Sequence, residues 1–368
     1  MEKEVMQSRK VFPGANTPQG FFSFYSHILS PGGAKRIFVL KGGPGTGKST
    51  LIRKIGEDMA GRGYKVEFHC CSSDNGSLDG VCIPEIGVAL LDGTAPHVVD
   101  PKNPGAVDEI INLGDYWDEA SLRGEKEAIL ALNKEVGRLF RRAYDYLAQA
   151  RILADEAESY YSDSNALDVP GLNSLGRGLE TLIFSNRAHP QASNPRHLFA
   201  SAITPEGAVN HLKSIFDPLN KRYIIRGPAG SGKATLLKKL YHAAVSRGLE
   251  VEAFHCSLRP EEIEHLVLPE LGAGIITGCK PHEYRAFPGD MVLDTREFVS
   301  SEALLPFQED LKEADRRYTQ AFSRAVDFIK RAKAAHDEME LHYIPHMDFE
   351  GINACRERVA ARIAGYCS

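Results

Sequence analysis

The chain has 368 residues, 43% hydrophobic and 25% charged, an ordinary globular composition long enough for two domains. Its formal net charge of −5 argues against a surface built for nucleic acid or acidic membranes. No apolar run approaches the roughly 20 residues of a membrane span, and seven cysteines, with Cys70 and Cys71 adjacent, do not suggest a disulfide framework. The expectation is a cytoplasmic protein.

In chain order, Thr17-Pro18 reads as a helix start, a hydroxyl cap followed by proline in the first turn. A β-type run over residues 37–40 then leads into "KGGPGTGKST". Here Gly42 and Gly47 let successive backbone N–H groups turn into an anion-sized nest, and the helix expected from about Ser49 adds its positive end. Gly43, Pro44, Gly45 and Thr46 complete the loop, Lys48 can reach the β- and γ-phosphates of a nucleotide, Ser49 can ligate magnesium, and the whole run from Gly42 to Thr50 is expected to bind the nucleotide.

A strand ending near Cys70 precedes "CCSSDNGSLDG". Its carboxylates Asp74 and Asp79 lie at the carboxyl edge of the expected sheet, where α/β proteins bind ligands. They, or Glu85, could activate water or an acceptor hydroxyl, or could be solvated turn residues. The run "GVALLDG" places Asp92 at the end of an apolar strand, as a second magnesium ligand or as a turn aspartate before Gly93.

A long helical segment follows, in which Ile129, Leu132, Val136, Leu139, Ala143, Tyr146, Ala150, Leu153, Ala157 and Tyr160 step by three and four residues. Residues 185–195, "SNRAHPQASNP", have the composition of a linker.

The same series then recurs. Lys48 returns as Lys233; Arg9, Phe12, Thr17 and Gly20 match Arg196, Phe199, Thr204 and Gly207; "RGYKVEFHC" answers "RGLEVEAFHC", with the "FHC" stretches aligned. The repeats span residues 9–184 and 196–364. A second seam runs through Leu311, Ala314, Tyr318, Ala321, Ala325, Phe328, Ala332, Ala335 and Met339, and it answers the first position by position from Ile129 to Ala157. These helices are expected to pack on each other or on the domains that carry them; a lid, or an arm for a protein partner, is the alternative.

The second glycine loop keeps Gly227, Gly230, Ser231, Gly232, Lys233 and Thr235 but has Ala234 in place of Ser49, and Thr277 stands in place of Asp92. Losing both metal ligands together points to a second site that binds phosphate without magnesium, or only preserves the fold. Thr235 or water could substitute for the missing hydroxyl.

His69, Cys70, Cys71, Cys82 and His97, and later His255, Cys256, Cys279 and His282, invite a zinc reading. However, His69 and Cys70 are adjacent on a strand and face opposite ways. His97 and His282 are expected to hold a loop or touch phosphate. The late group His336, Glu340, His342, His346 and Asp348 is interrupted by Pro345 and reads as a solvated helix end.

With loop, acidic strand end and duplication together, the chain resembles the P-loop NTPase superfamily through Gly42, Gly47, Lys48, Ser49 and Asp92. More narrowly it resembles bacterial proteins with tandem-duplicated P-loop ATPase domains, a group without an established substrate that shares the "FHC" and "DGTAPH" stretches. The resemblance implies an α/β fold of two tandem domains, each a parallel sheet flanked by helices, that binds ATP with Mg2+.

Three functions are then open. One is an ATPase with an active and a degenerate site whose state is passed to the helical arms. Another is a small-molecule or nucleotide kinase, with Arg123, Arg138, Arg141, Arg142 and Arg151 charging a lid. The third is a nucleotide-binding module without turnover.

Overall fold

The computed structural model describes residues 8–29, 33–95, 98–185 and 187–367. In the first repeat the strands are β1 (Ser8–Val11), β2 (Gly14–Thr17), β3 (Gly20–Ser23), β4 (Arg36–Lys41), β5 (Val66–Cys70), β6 (Leu78–Ile83), β7 (Val88–Asp92) and β8 (Asp108–Asn112). Helix α1 (Lys48–Gly61) follows β4, and α2 (Glu119–Gly124), α3 (Lys126–Asp163) and α4 (Val169–Phe184) close the repeat.

The second repeat has β9 (Arg196–Leu198), β10 (Ser201–Thr204), β11 (Gly207–Asn210), β12 (Lys221–Arg226), β13 (Glu252–His255), β14 (Ile263–Leu268), β15 (Ala273–Thr277) and β16 (Met291–Asp294). Its helices are α5 (Leu212–Phe216), α6 (Lys233–Ser246), α7 (Gln308–Leu341) and α8 (Phe349–Ala364). No helix among the described residues is long and apolar enough to cross a membrane.

The two sheets have the same order, β1-β5-β6-β7-β4-β8 and β9-β13-β14-β15-β12-β16. They are mixed rather than wholly parallel. The outer pairs β1/β5, β4/β7 and β4/β8 run parallel, while β6 is antiparallel to both β5 and β7. The cause is connection length: residues 71–77 and the single turn at Pro84–Ile86 are too short for the dozen or more residues of a parallel crossover.

The helix start expected at Thr17, and with it the one at its repeat partner Thr204 before Pro205, is instead a hairpin turn. Thr17 pairs with Gly20 and Thr204 with Gly207. Each threonine hydroxyl accepts from the amide two residues on and donates to the glycine carbonyl three residues on. Gly20 and Gly207 have φ of 109° and 95°, which a helix does not admit.

Register also corrects the pairing of the two "FHC" stretches. Arg9 pairs with Glu67 and Val11 with His69, whereas Arg196 pairs with Glu252 and Leu198 with Phe254. Phe254, not His255, therefore occupies the place of His69. The offset that relates Lys48 to Lys233 thus holds through the bulge that both strands carry at this point.

The repeats in sequence are not the bodies that pack. The core on the first sheet joins Phe38, Leu40, Ile52 and Val81 to Cys355, Val359 and Ile363 of α8, from the other repeat. The core on the second sheet joins Ile225, Leu237 and Leu266 to Leu179, Ile183 and Phe184 of α4. The two repeats have exchanged their last helices.

Helices α3 and α7 carry the chain across, antiparallel to each other. Tyr146 stacks on Phe328 near the middle, and Tyr160 packs on Phe307 toward one end. At 38 residues α3 is about 57 Å long at 1.5 Å per residue. The seam is alanine-rich, with Ala143, Ala150, Ala321, Ala325 and Ala332 buried, so the helices can approach closely. Leu147 and Ile329, outside the expected seam, are also buried because the stripe must face Ile203 of a hairpin as well as the partner helix.

Equivalent residues meet reciprocally, as a pseudo-twofold axis requires. Phe12 and Phe199 exchange N–H···O bonds of 2.9 and 3.0 Å. Beside them Arg9 donates to Glu67 at 2.5 Å and to Glu252 at 2.5 and 2.7 Å, and Arg196 donates to Glu67 and to Glu252, the latter at 3.0 Å. Burial would raise the Glu67 carboxyl, but Arg196 and Arg9 outweigh it and hold it well below the usual range.

Candidate functional site

Strand β4 is buried through Phe38, Val39 and Leu40, and it delivers the first glycine loop, residues 42–47, to the start of α1. Gly45 and Gly47 have φ of 68° and 79°, so a side chain at either would strain the turn. No side chain caps α1, which leaves its first-turn amides open to an anion.

Lys48 Nζ donates to the carbonyls of Gly42 and Gly43 at 3.0 and 2.7 Å and stands 3.7 Å from Asp92 Oδ2. Asp92 is brought there by the β4/β7 register, which sets it beside Leu40 at the strand ends. Its Oδ1 accepts from the Thr94 amide at 2.8 Å. Thr46 donates to the Gly43 carbonyl at 2.9 Å, Ser49 Oγ accepts from the Leu78 amide at 2.9 Å, Pro44 is half-buried, and Thr50 is exposed.

The two remaining acids lie in different surroundings. Asp74 closes its own turn, accepting from the Gly76 amide at 3.0 Å and from Ser77 Oγ at 2.8 Å, with Lys333 of α7 at 3.6 Å. Asp79 is on β6 rather than in a loop and is buried. Burial, then Asp79, push the Tyr25 hydroxyl and the Cys71 thiol well above their ordinary values.

The second loop repeats the lysine geometry. Gly227, Gly230 and Gly232 have φ of 144°, 78° and 85°. Lys233 Nζ donates to the carbonyls of Gly227, at 2.9 Å, and Pro228. Burial pulls its ammonium below the ordinary lysine value. Ser231 donates to the Pro228 carbonyl at 2.7 Å, Thr277 is buried, and Ala234 and Thr235 are exposed on the first turn of α6.

Each loop is roofed by the other repeat. The Gly45 amide donates to Glu340 Oε1 at 3.1 Å. A Cβ on Gly43 would come within 2.9 Å of the Tyr343 ring, and one on Gly45 within 3.0 Å of Ile344. At the second loop the neighbours are Tyr161, 2.5 Å from a Cβ on Gly230, and Leu172, 2.8 Å from one on Gly232.

The segment read as a solvated helix end therefore lies against the first glycine loop. His342 meets Glu125 at 2.8 Å, the His346 carbonyl accepts from the Asp118 amide, and Asp348 caps α8. A signal was present in the sequence: Tyr343 stands to Tyr161 as Leu311 of the second seam stands to Ile129 of the first.

No family model, curated protein or solved structure matches the chain.

Of the histidines and cysteines, His69 is buried 2.9 Å from Glu67, and burial raises Cys70 and Cys82 to about 12, so both thiols behave as small apolar groups. His97 lies outside the described residues. His282 pairs with Glu264 at 3.2 Å, with His265 close by. Burial alone would raise Glu264, but His282 prevails and holds it at about 2. His265 Nδ1 accepts from the Thr277 amide at 3.1 Å, so this ring presents an N–H, not a lone pair, from its other nitrogen.

Proposed function

We propose that the chain binds a nucleoside triphosphate with magnesium at the first glycine loop, as a P-loop ATPase, and that the second loop is a non-catalytic nucleotide or phosphate site. The observation that carries this reading is the meeting of Lys48 with Asp92 at the mouth of an uncapped helix. Lysine there supplies charge to the β- and γ-phosphates, and an acid at the adjacent strand end, with Ser49, would hold magnesium.

In this reading Lys48 leaves the Gly42 and Gly43 carbonyls for the phosphates, and the loop amides and helix end stabilise charge on the transferred phosphoryl group. Ser49 and Asp92 are the residues that would hold magnesium, whose chemistry there would be to neutralise phosphate charge. The second loop has a lysine with the same carbonyl partners but neither the hydroxyl nor the carboxylate, which supports a binding role alone. The roofing of each loop by the other repeat's arm supports communication between the two.

The test is labelled ATP with wild type, Lys48→Ala and Lys233→Ala, followed by calorimetry and single-turnover product analysis with water and then with cell metabolites. Lys48→Ala should lose most nucleotide affinity and turnover, while Lys233→Ala keeps the chemical step. Equal ATP affinity in Lys48→Ala and wild type would refute the assignment. Labelled phosphate on a metabolite rather than free in solution would make the enzyme a kinase.

A further inference from the structure

We propose that Glu340 is a built-in competitor for phosphate at the first glycine loop, held there by the arm of the second repeat and expelled when nucleotide binds. This rests on the nucleotide reading of that loop. Glu340 Oε1 accepts from the Gly45 amide at 3.1 Å, so a carboxylate oxygen stands on one of the loop amides that would otherwise face a phosphate oxygen. Gly45 has φ of 68°, the left-handed turn that aims its N–H into the nest. Two anions cannot share that N–H, and the like charges repel.

Among the described residues only the first loop is occupied in this way, because the two repeats differ around the glutamate. In the alignment of the two seams, the counterpart of Glu340 is Glu158, one position past Ala157 as Glu340 is one past Met339. Glu158 accepts from Arg259 at 2.7 Å, and Asp155 accepts from the same guanidinium at 2.7 and 2.9 Å. The residue that matches Arg259 in the first repeat is Asp74: the Asp74 carbonyl accepts from Ser77, and the Arg259 carbonyl accepts from Glu262 in the same turn.

Asp74 engages Lys333 instead, and Lys333 also binds Asp337 at 2.7 Å. Among the described residues Glu340 therefore has no arginine to draw it aside, and it closes on the loop. Glu340 sits on the last turns of α7, which pairs with α3 along its length, so expelling its carboxylate from the first loop releases a contact that holds that end of the helix. Loading of one site is thereby linked to the element that reaches the other.

Two variants test this in the full-length protein. Glu340→Gln removes the charge. Asp74→Arg recreates the Arg259 arrangement and should draw Glu340 off the loop without altering it. Calorimetry with Mg–ATP and with inorganic pyrophosphate should show both variants binding more tightly than wild type, by on the order of tenfold, the value of one charge-assisted hydrogen bond. In hydrogen exchange, ATP should speed exchange over residues 336–344 in wild type but not in Glu340→Gln.

If wild type binds ATP and both variants bind it with unchanged affinity, Glu340 is no competitor, and the nucleotide reading stands. If ATP binds neither wild type nor either variant, the nucleotide reading fails and takes this inference with it. Binding by the variants alone would support both.

Discussion

Ser49 shows how a single residue can serve the fold and the proposed chemistry together. Its hydroxyl accepts from the Leu78 amide at the start of β6. Ser49→Ala should therefore cost about 1–3 kcal/mol of stability by leaving that N–H unpaired, whereas Ser49→Thr keeps the acceptor. Chemical denaturation of both variants decides it, and equal loss in the two would show that the hydroxyl is not the cause. On the proposed function, Ser49→Ala and Asp92→Asn should weaken magnesium-dependent turnover far more than nucleotide binding. If Asp92→Asn is fully active throughout a magnesium titration, the metal acid is elsewhere.

At the scale of the element, the exchange of α4 and α8 makes an unusual prediction about where damage is felt. Ile363 is fully buried on α8, in the second repeat, yet its neighbours belong to the first core. Ile363→Ala should cost roughly 2–5 kcal/mol, the range for deleting a buried aliphatic side chain, and should lower hydrogen-exchange protection in α1 and β4. Leu179→Ala on α4 should instead expose α6 and β12. Protection lost within the mutated repeat rather than across from it would show that the exchange does not occur in solution.

For the whole molecule, histidines at the junction between repeats contribute to the response to pH. Burial and then Lys10 lower His211 to about 4, and it stacks on Phe12; burial and then His197 lower His255 to about 4. Both folded values lie below the ordinary 6.5. The unfolded chain thus binds protons first as pH falls, and the stability these groups contribute is full above 6.5 and is lost as pH drops toward 4.

Urea melts should show the protein weakening between neutral pH and about pH 5, by an amount on the order of 1–3 kcal/mol per histidine at most. His211→Phe should flatten the slope. An unchanged slope in that variant would remove His211 from the account.

Legible in the chain are the duplication, the two glycine loops with Lys48 and Lys233, the strand that ends at Asp92, and two long helices with matching seams, though not that these helices pair with each other. All of these are written in local spacing: glycines at fixed offsets, apolar runs, and three-and-four periodicity over many turns. Tertiary structure alone decided what depends on partners distant in the chain. β6 runs antiparallel because its connections are short and its neighbours were not fixed by its own residues. The Thr-Pro turns became hairpins because a glycine with positive φ outweighed a helix-start pattern. Strand register set Phe254, not His255, in the place of His69, with the same bulge in both repeats. The swapped helices, and with them Glu340, Tyr343 and Tyr161 over the loops, follow from which apolar face finds which sheet, and the periodicity of a helix records that it has a buried face without recording what buries it.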